Sequence, residues 1–281
     1  MTATGGAGPA GLRVEGTGAA GAGVPATGTA GAGVVGRSVD GVLFDVDDTL
    51  VDTHGAFATA LAAVSRTWLP DLDPARDVEV LDHWRADAGG RYRRYTRGEV
   101  TYREQRMARA NDLHAAFGGP ALDDTAYDEW NALFEDRFTS AWAAHADAAA
   151  VVRRLLDAGI VVGALTNAAT EYQIAKLTRT GLADDVPLLV GVDTLGFGKP
   201  DPRVFAEACR RLGTSPGRTA YVGDELDVDA RAATAAGLHG VWLARPHLGA
   251  KDENSGAPLP TDTVITTLDE LPGALGLPSR E

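Results

Sequence analysis

With 281 residues, 44% of them hydrophobic, the chain is long enough for one sizeable core and a smaller second unit, because single domains usually run to about 100–200 residues. Its 39 acidic and 26 basic residues leave a formal charge of −13, so the average surface repels polyanions and nucleic acid is excluded as a natural partner. A single cysteine, Cys209, excludes an internal disulfide, and no run of about 18 apolar residues or basic leader before an apolar stretch points to a membrane, so a cytoplasmic protein is expected.

Residues 1–38 consist almost wholly of Gly, Ala, Thr, Val and Pro, with Arg13, Glu15 and Arg37 as the charged exceptions. So few large apolar side chains cannot offset the entropy of ordering the segment, and a flexible tail is expected. Gly16, Gly18 and Gly21 have GxGxxG spacing after Leu12-Arg13-Val14, but Gly23 and Pro25 follow where a dinucleotide site needs a helix. The tail reading is preferred.

From Val39 short apolar runs alternate with amphipathic stretches. Strands are expected at Gly41–Phe44, Ile160–Leu165, Pro187–Val190, Thr219–Val222 and Gly240–Leu243, each apolar enough to be buried on both faces of a parallel sheet. Helices are expected over 147–158, 170–180, 202–212 and 228–236, each followed by a glycine that stops it. That rhythm predicts an α/β fold, a doubly wound parallel sheet with right-handed crossovers. It breaks between the first two strands. There Ala56–Trp68, Val78–Ala88, Thr101–Phe117 and Thr125–Ala143 read as helices with no strand among them, which predicts an inserted all-helical domain. The expected division is a tail at 1–38, a core at 39–53 and 146–281, and the helical domain at 54–145.

Ligands of open α/β sheets bind beyond the carboxyl ends of the strands, so the polar residues that end the apolar runs come first. They are Asp45-Val46-Asp47-Asp48-Thr49, Thr166-Asn167, Lys199 after a glycine-bearing loop, and Gly223-Asp224. Carboxylates gathered in one crevice repel, and a divalent cation is the simplest means of keeping them ionised together.

These segments resemble the four ordered motifs of the haloacid dehalogenase (HAD) superfamily: DxDx[TV] at Asp45–Thr49, Thr166-Asn167, Lys199-Pro200, and GDxxxxD from Gly223-Asp224 to Asp229. The resemblance covers Val39 to about Leu243. It implies Asp45 as nucleophile, Asp47 as acid and base, Thr166 with Asn167 as hydrogen-bond donors to a phosphoryl group, and Lys199 as the balancing cation. It also implies Mg2+ held by Asp45, the carbonyl of Asp47 and Asp224, with Asp229 behind them orienting Lys199 or a metal-bound water. The helical insertion resembles the family's C1 cap, which closes over small substrates.

Asp at position 47 favours phosphate chemistry over carbon–halogen cleavage, in which the departing halide needs no proton. The expected activity is hydrolysis of a small phosphorylated metabolite through an aspartyl-phosphate, by a monomer or homodimer. A phosphosugar mutase uses the same motifs, and a binding protein without catalysis has no need of Asp47. Plainer readings apply to several neighbours: Asp48 and Thr49 as helix caps, Glu225 and Asp227 as solvated charge, Cys209 as helix core beside Phe205 and Leu212. Arg103, Arg106 and Arg109 share a helical face and are expected to be solvated or salt-bridged rather than turned toward substrate. The six histidines show no metal-ligand spacing.

Overall fold

The structure, a computed structural model, describes residues 39–248 and 263–278. The expected tail and its three spaced glycines lie outside the described residues. Six parallel strands follow one another as β1 (Gly41–Phe44), β2 (Val161–Leu165), β3 (Leu188–Val190), β4 (Thr219–Gly223), β5 (His239–Leu243) and β6 (Thr263–Ile265), laid side by side in the order β3-β2-β1-β4-β5-β6. The doubly wound sheet expected from the alternating pattern is therefore present. The sixth strand was not foreseen, because three residues are too short for an apolar run to register.

Strand β1 shows why the sheet needs two covers. Val42 and Phe44 pack with Val151, Val152 and Leu155 on one side, whereas Leu43 packs with Phe205, Ala208 and Cys209 on the other. Side chains alternate across a strand, so a run apolar at every position fits only a strand buried twice. The covering helices are α6 (Ala148–Asp157), α7 (Thr170–Arg179), α8 (Pro202–Leu212), α9 (Ala232–Ala235) and α10 (Leu271–Ala274). Helix α8 begins where the Asp201 carboxylate accepts from Arg203 N–H, with Pro202 in the first turn, and stops at Gly213 with φ 81°. The helix expected at 228–236 is instead a π-helical turn over Leu226–Arg231 followed by the single turn of α9. Such widened turns are commonest at functional sites.

Between β1 and β2 run α1 (Thr53–Trp68), α2 (Asp77–Ala86), α3 (Arg91–Thr96), α4 (Tyr102–Phe117) and α5 (Asp124–Ser140). Their apolar faces make a second core around Trp84, Trp130, Phe134 and Phe138, in which Trp130 stacks on Phe134 with centroids 5.2 Å apart. Helix α3 was not anticipated, since Arg91-Tyr92-Arg93-Arg94-Tyr95-Thr96 has no apolar period. The chain enters and leaves this helical layer at one place: Asp52 N–H donates to Ala143 O at 2.9 Å and His145 N–H to Leu50 O at 2.9 Å. Among the described residues no helix is long and apolar enough to cross a membrane.

Candidate active site

Strand register gathers the polar ends of the apolar runs. Phe44 lies level with Ala164 of β2 and with Val222 of β4, so Asp45, Thr166 and Asp224 emerge on one edge of three adjacent strands. The chain winds outward to β3 and then returns to β4 on the other flank of β1, which is the crossing point where open sheets leave a crevice.

In that crevice the Lys199 ammonium is almost fully enclosed. It donates to Asp45 Oδ1 at 2.8 Å, Asp229 Oδ1 at 2.7 Å and the Tyr221 hydroxyl at 2.7 Å. An ammonium has three N–H bonds, and all three are engaged. Tyr221 in turn donates to Leu165 O at 2.9 Å, so one hydroxyl of β4 ties the lysine to the residue preceding Thr166. The lysine backbone is held just as firmly: Asn167 Oδ1 accepts from Lys199 N–H at 2.6 Å, and Asn167 Nδ2 donates to Lys199 O at 3.0 Å. Gly198 makes that clamp feasible, because a Cβ there would stand 2.2 Å from Asn167 Oδ1. Gly223 does the same for Asp229, whose Oδ2 would lie 2.3 Å from an added Cβ.

Asp45, Asp224 and Asp229 each present an oxygen within 4.8 Å of the others, all three buried. Burial lifts the Asp45 carboxyl to about 7, only partly offset by the charge of Lys199, and the negative charges of Asp229 and Asp47 push it further up. Three carboxylates against one ammonium leave an excess of negative charge in a dry crevice. An all-oxygen donor set with that excess fits a hard divalent cation, with Asp45 and Asp224 best placed as ligands.

Asp47 stands apart from this cluster, in a socket of its own. Thr53 Oγ1 donates to its Oδ1 at 2.6 Å, Gln173 Nε2 to its Oδ2 at 2.5 Å, and Lys176 forms an ion pair with Oδ1. Burial alone would raise its pKa, but the Lys176 charge and these hydrogen bonds outweigh burial and hold the carboxyl below its ordinary value. The Lys176 ammonium sits among the rings of Phe138, Trp142 and Tyr172 at 5.5 to 5.7 Å. Thr166, almost wholly buried, has its Oγ1 3.2 Å from Gln173 Nε2 and accepts from Ala168 N–H at 3.2 Å.

Lys176, Gln173, Thr53 and Tyr221 are absent from the sequence-based set. Two of them carry a signal: Gln173 and Lys176 are polar residues one turn apart on the buried stripe of α7, directly after Thr166-Asn167. Tyr221 hides inside an apolar strand. Asp48, with φ 60°, accepts from His54 N–H at 2.6 Å in the first turn of α1, but the residue that caps the helix is Asp52, whose Oδ1 accepts from Gly55 N–H at 2.8 Å. Thr49 makes no such cap; its carbonyl accepts from Arg245 at 3.0 Å, and the same guanidinium holds both oxygens of Asp147 at 2.8 and 2.9 Å. Asp227 pairs with Arg231 at 2.8 Å. Of the three arginines on α4, Arg103 is exposed and paired with Asp124 and Asp128, Arg106 is buried and paired with Glu135, and Arg109 is half-buried beside Asp87, so all three are salt-bridged, as expected, the latter two within the helical layer.

Comparison with known proteins agrees with this geometry. Residues 39–237 match the family model of haloacid dehalogenase-like hydrolases. A ribulose-1,5-bisphosphate 5-phosphatase of Halopiger xanaduensis is 30% identical over 210 residues, covering 71% of this chain and 82% of that protein. A glyceraldehyde 3-phosphate phosphatase of Methanopyrus kandleri is 37% identical over 99 residues, but only 35% of this chain and 42% of that protein's length are matched. Among solved structures, an L-2-haloacid dehalogenase superposes with a TM-score of 0.65 at 25% identity, over 85% of this chain and 99% of that one. The ordered residues around β1, β2 and β4 and the match across 39–237 lead to one conclusion: the chain belongs to the haloacid dehalogenase-like hydrolase family.

Proposed function

We propose that the protein is a Mg2+-dependent phosphatase that hydrolyses a small phosphate monoester through an aspartyl-phosphate on Asp45. One observation carries this reading: a carboxylate paired with a buried lysine, beside two further acids, with a second carboxyl two residues on that is held separately. In the first step an Asp45 oxygen forms a bond to phosphorus as the ester P–O bond breaks, and Asp47 gives its proton to the departing oxygen. In the second step Asp47 takes a proton from water as the water oxygen attacks phosphorus, the Asp45–phosphorus bond breaks, and phosphate leaves. Lys199 balances the charge shared between Asp45 and the phosphoryl group, and Thr166 donates to a phosphoryl oxygen. Bound at Asp45, Asp224 and the Asp47 carbonyl, the metal would supply charge neutralisation at the phosphoryl oxygens.

Lys176 keeps Asp47 ionised at rest, which is the form required for the second step; donating in the first requires proton uptake. Residues 54–145 serve as the closing cap, and 39–53 with 146–281 as the core that carries the chemistry. Likeness to a dehalogenase is the observation that favours a rival reading. Halide release has no use for a proton donor, and the three-donor socket around Asp47 weighs against it. The test is a panel of metabolite phosphates assayed with Mg2+, with EDTA, and with Asp45→Asn. Phosphate release is expected from the native chain, with a loss of at least ~10³-fold in the variant, the scale on which removed nucleophiles act. Comparable rates would reject the mechanism, chloride release from haloacids would favour the rival, and an isomeric sugar phosphate in place of free phosphate would mark a mutase.

A further inference from the structure

A carboxylate binds a metal well when it is aimed before the ion arrives, and the aim of Asp224 is set by its backbone. Strand β4 ends at Gly223, and the chain turns at once into the widened helical turn over Leu226–Arg231. Asp224 thus stands where pairing with β5 stops, and its carbonyl must find a new donor there or turn to water. The donor comes from the neighbouring strand. Gly223 lies level with Trp242 of β5, and the Trp242 indole Nε1–H donates to Asp224 O at 3.0 Å.

The other end of the same peptide unit is fixed as well. Glu225 N–H donates to Asp229 Oδ2 at 2.9 Å, while Asp229 Oδ1 accepts from Lys199 at 2.7 Å. The Asp224–Glu225 peptide is therefore pinned at its oxygen by β5 and at its nitrogen by the acid cluster. A peptide unit is planar, so bonds at its two edges fix its orientation and, with it, the direction in which Asp224 leaves the backbone. That side chain is 8% exposed and reaches within 4.8 Å of Asp45 and Asp229. Turning the peptide would carry the carboxylate out of the cluster.

Tryptophan suits this position. An indole has one donor and no acceptor, so its polar atom can serve that carbonyl alone. Val241 and Leu243 on either side pack in the sheet's core, whereas Trp242 faces the other way and is only half-buried. We infer that Trp242 is a positioning residue of the metal site: by holding the Asp224 carbonyl it sets the direction of the Asp224 carboxylate, and so the affinity for a divalent cation. This inference rests on the Mg2+ reading above and deepens it by a residue that acts through Asp224. Partners at one remove from a ligand commonly change metal affinity by ~10–100-fold when they are lost.

The test measures Mg2+ binding to the metal-free chain by isothermal titration calorimetry, beside thermal melting in EDTA. Trp242→Phe keeps an aromatic ring and loses the donor. Its Mg2+ dissociation constant is expected to rise ~10-fold or more, while substrate KM at saturating Mg2+ moves by less than ~3-fold. Trp68→Phe, in the helical layer, is expected to retain the native constant. A folded Trp242→Phe with unchanged Mg2+ affinity, or with only a lower melting temperature, would overturn the inference, and so would an equal loss of affinity in Trp68→Phe. In the native chain, one of the five indole N–H resonances is expected to shift on addition of Mg2+. Five unmoved resonances would overturn the inference even if the variant did not fold. A native chain that binds no Mg2+ would reject the metal reading and this inference together. A native chain that binds Mg2+ but releases no phosphate from any ester would reject the phosphatase reading, with the role of Trp242 still decided by the binding constants.

Discussion

Tyr221→Phe removes one oxygen from the centre of the site and nothing else. Phenylalanine retains the ring and its edge-on packing against Phe205, with centroids 5.1 Å apart. What is lost is an acceptor for the Lys199 ammonium at 2.7 Å and a donor to Leu165 O at 2.9 Å. A hydrogen bond to a charged group contributes about 1.5–3 kcal/mol and a neutral one about 0.5–1.5 kcal/mol, so the variant should be less stable by about 2–4 kcal/mol. Lys199 keeps Asp45 and Asp229 but gains a third N–H that points at nothing, and its position over Asp45 loosens. If half of the charged bond is expressed in the transition state, kcat falls ~10-fold, because each 1.4 kcal/mol is a factor of ten. KM should move by less than ~3-fold, since the tyrosine contacts no substrate in the proposed mechanism. Steady-state kinetics on the best ester, beside a urea unfolding curve, reads both quantities. A variant faster than wild type would refute the argument, because it would mean that Tyr221 occupies a donor which a phosphoryl oxygen needs. Loss of stability with unchanged kcat would reduce the hydroxyl to a structural role.

Two further outcomes follow from buried ion pairs. Although burial alone would raise it, the Asp147 carboxyl is held down to about 2 by hydrogen bonds from Arg245, Leu268 N–H and the Thr267 hydroxyl, together with the Arg245 charge. A folded pKa below the unfolded value of about 4 means stability that is present above pH 4 and lost as the pH falls toward 2, amounting to about 1–2 kcal/mol after discounting for a partly solvated group. Urea midpoints at pH 6 and pH 3 should therefore differ less in Asp147→Asn than in wild type, and equal differences would contradict the assignment. Lys176→Met removes the cation that keeps Asp47 ionised and leaves a side chain that fits among Phe138, Trp142 and Tyr172. The limb of the kcat/KM profile that reports Asp47 should shift upward by about one unit or more, the usual effect of an opposite charge at contact. An unmoved limb would mean that the ion pair does not set the protonation of Asp47.

Much of this arrangement was legible in the amino-acid sequence, and the pattern of what was not is physical. Asp45, Thr166 and Asp224 stand out because each is a polar residue at the end of an apolar run, Lys199 stands out only through its place in the order of motifs, and the order of the runs determines which strands meet. Tyr221 does not stand out, since it lies inside a strand that periodicity assigns to the core and only its partners reveal the hydroxyl's task. Arg106 and Arg109 show the reverse limit. Helical spacing placed them on one face with Arg103, but whether that face meets water depends on how α4 leans on α2 and α5, which no local pattern encodes. The turn at Leu226–Arg231 has the same origin: helix propensity continues through it, and the need to bring Asp229 against Lys199 widens it.

The entry and exit of the helical layer sit side by side, joined by a bridge between Val51 and Ala144 and by backbone bonds on either side of it. With both ends of the insertion so close, the sheet does not depend on what hangs from them, because a turn of a few residues from Val51 to Ala144 would close the same polypeptide without its roof. The floor and its covering are thus joined along the chain at one place. Different coverings can be exchanged on one hydrolytic base with no change in strand order, and selectivity can diverge while the bond-breaking groups stay in place.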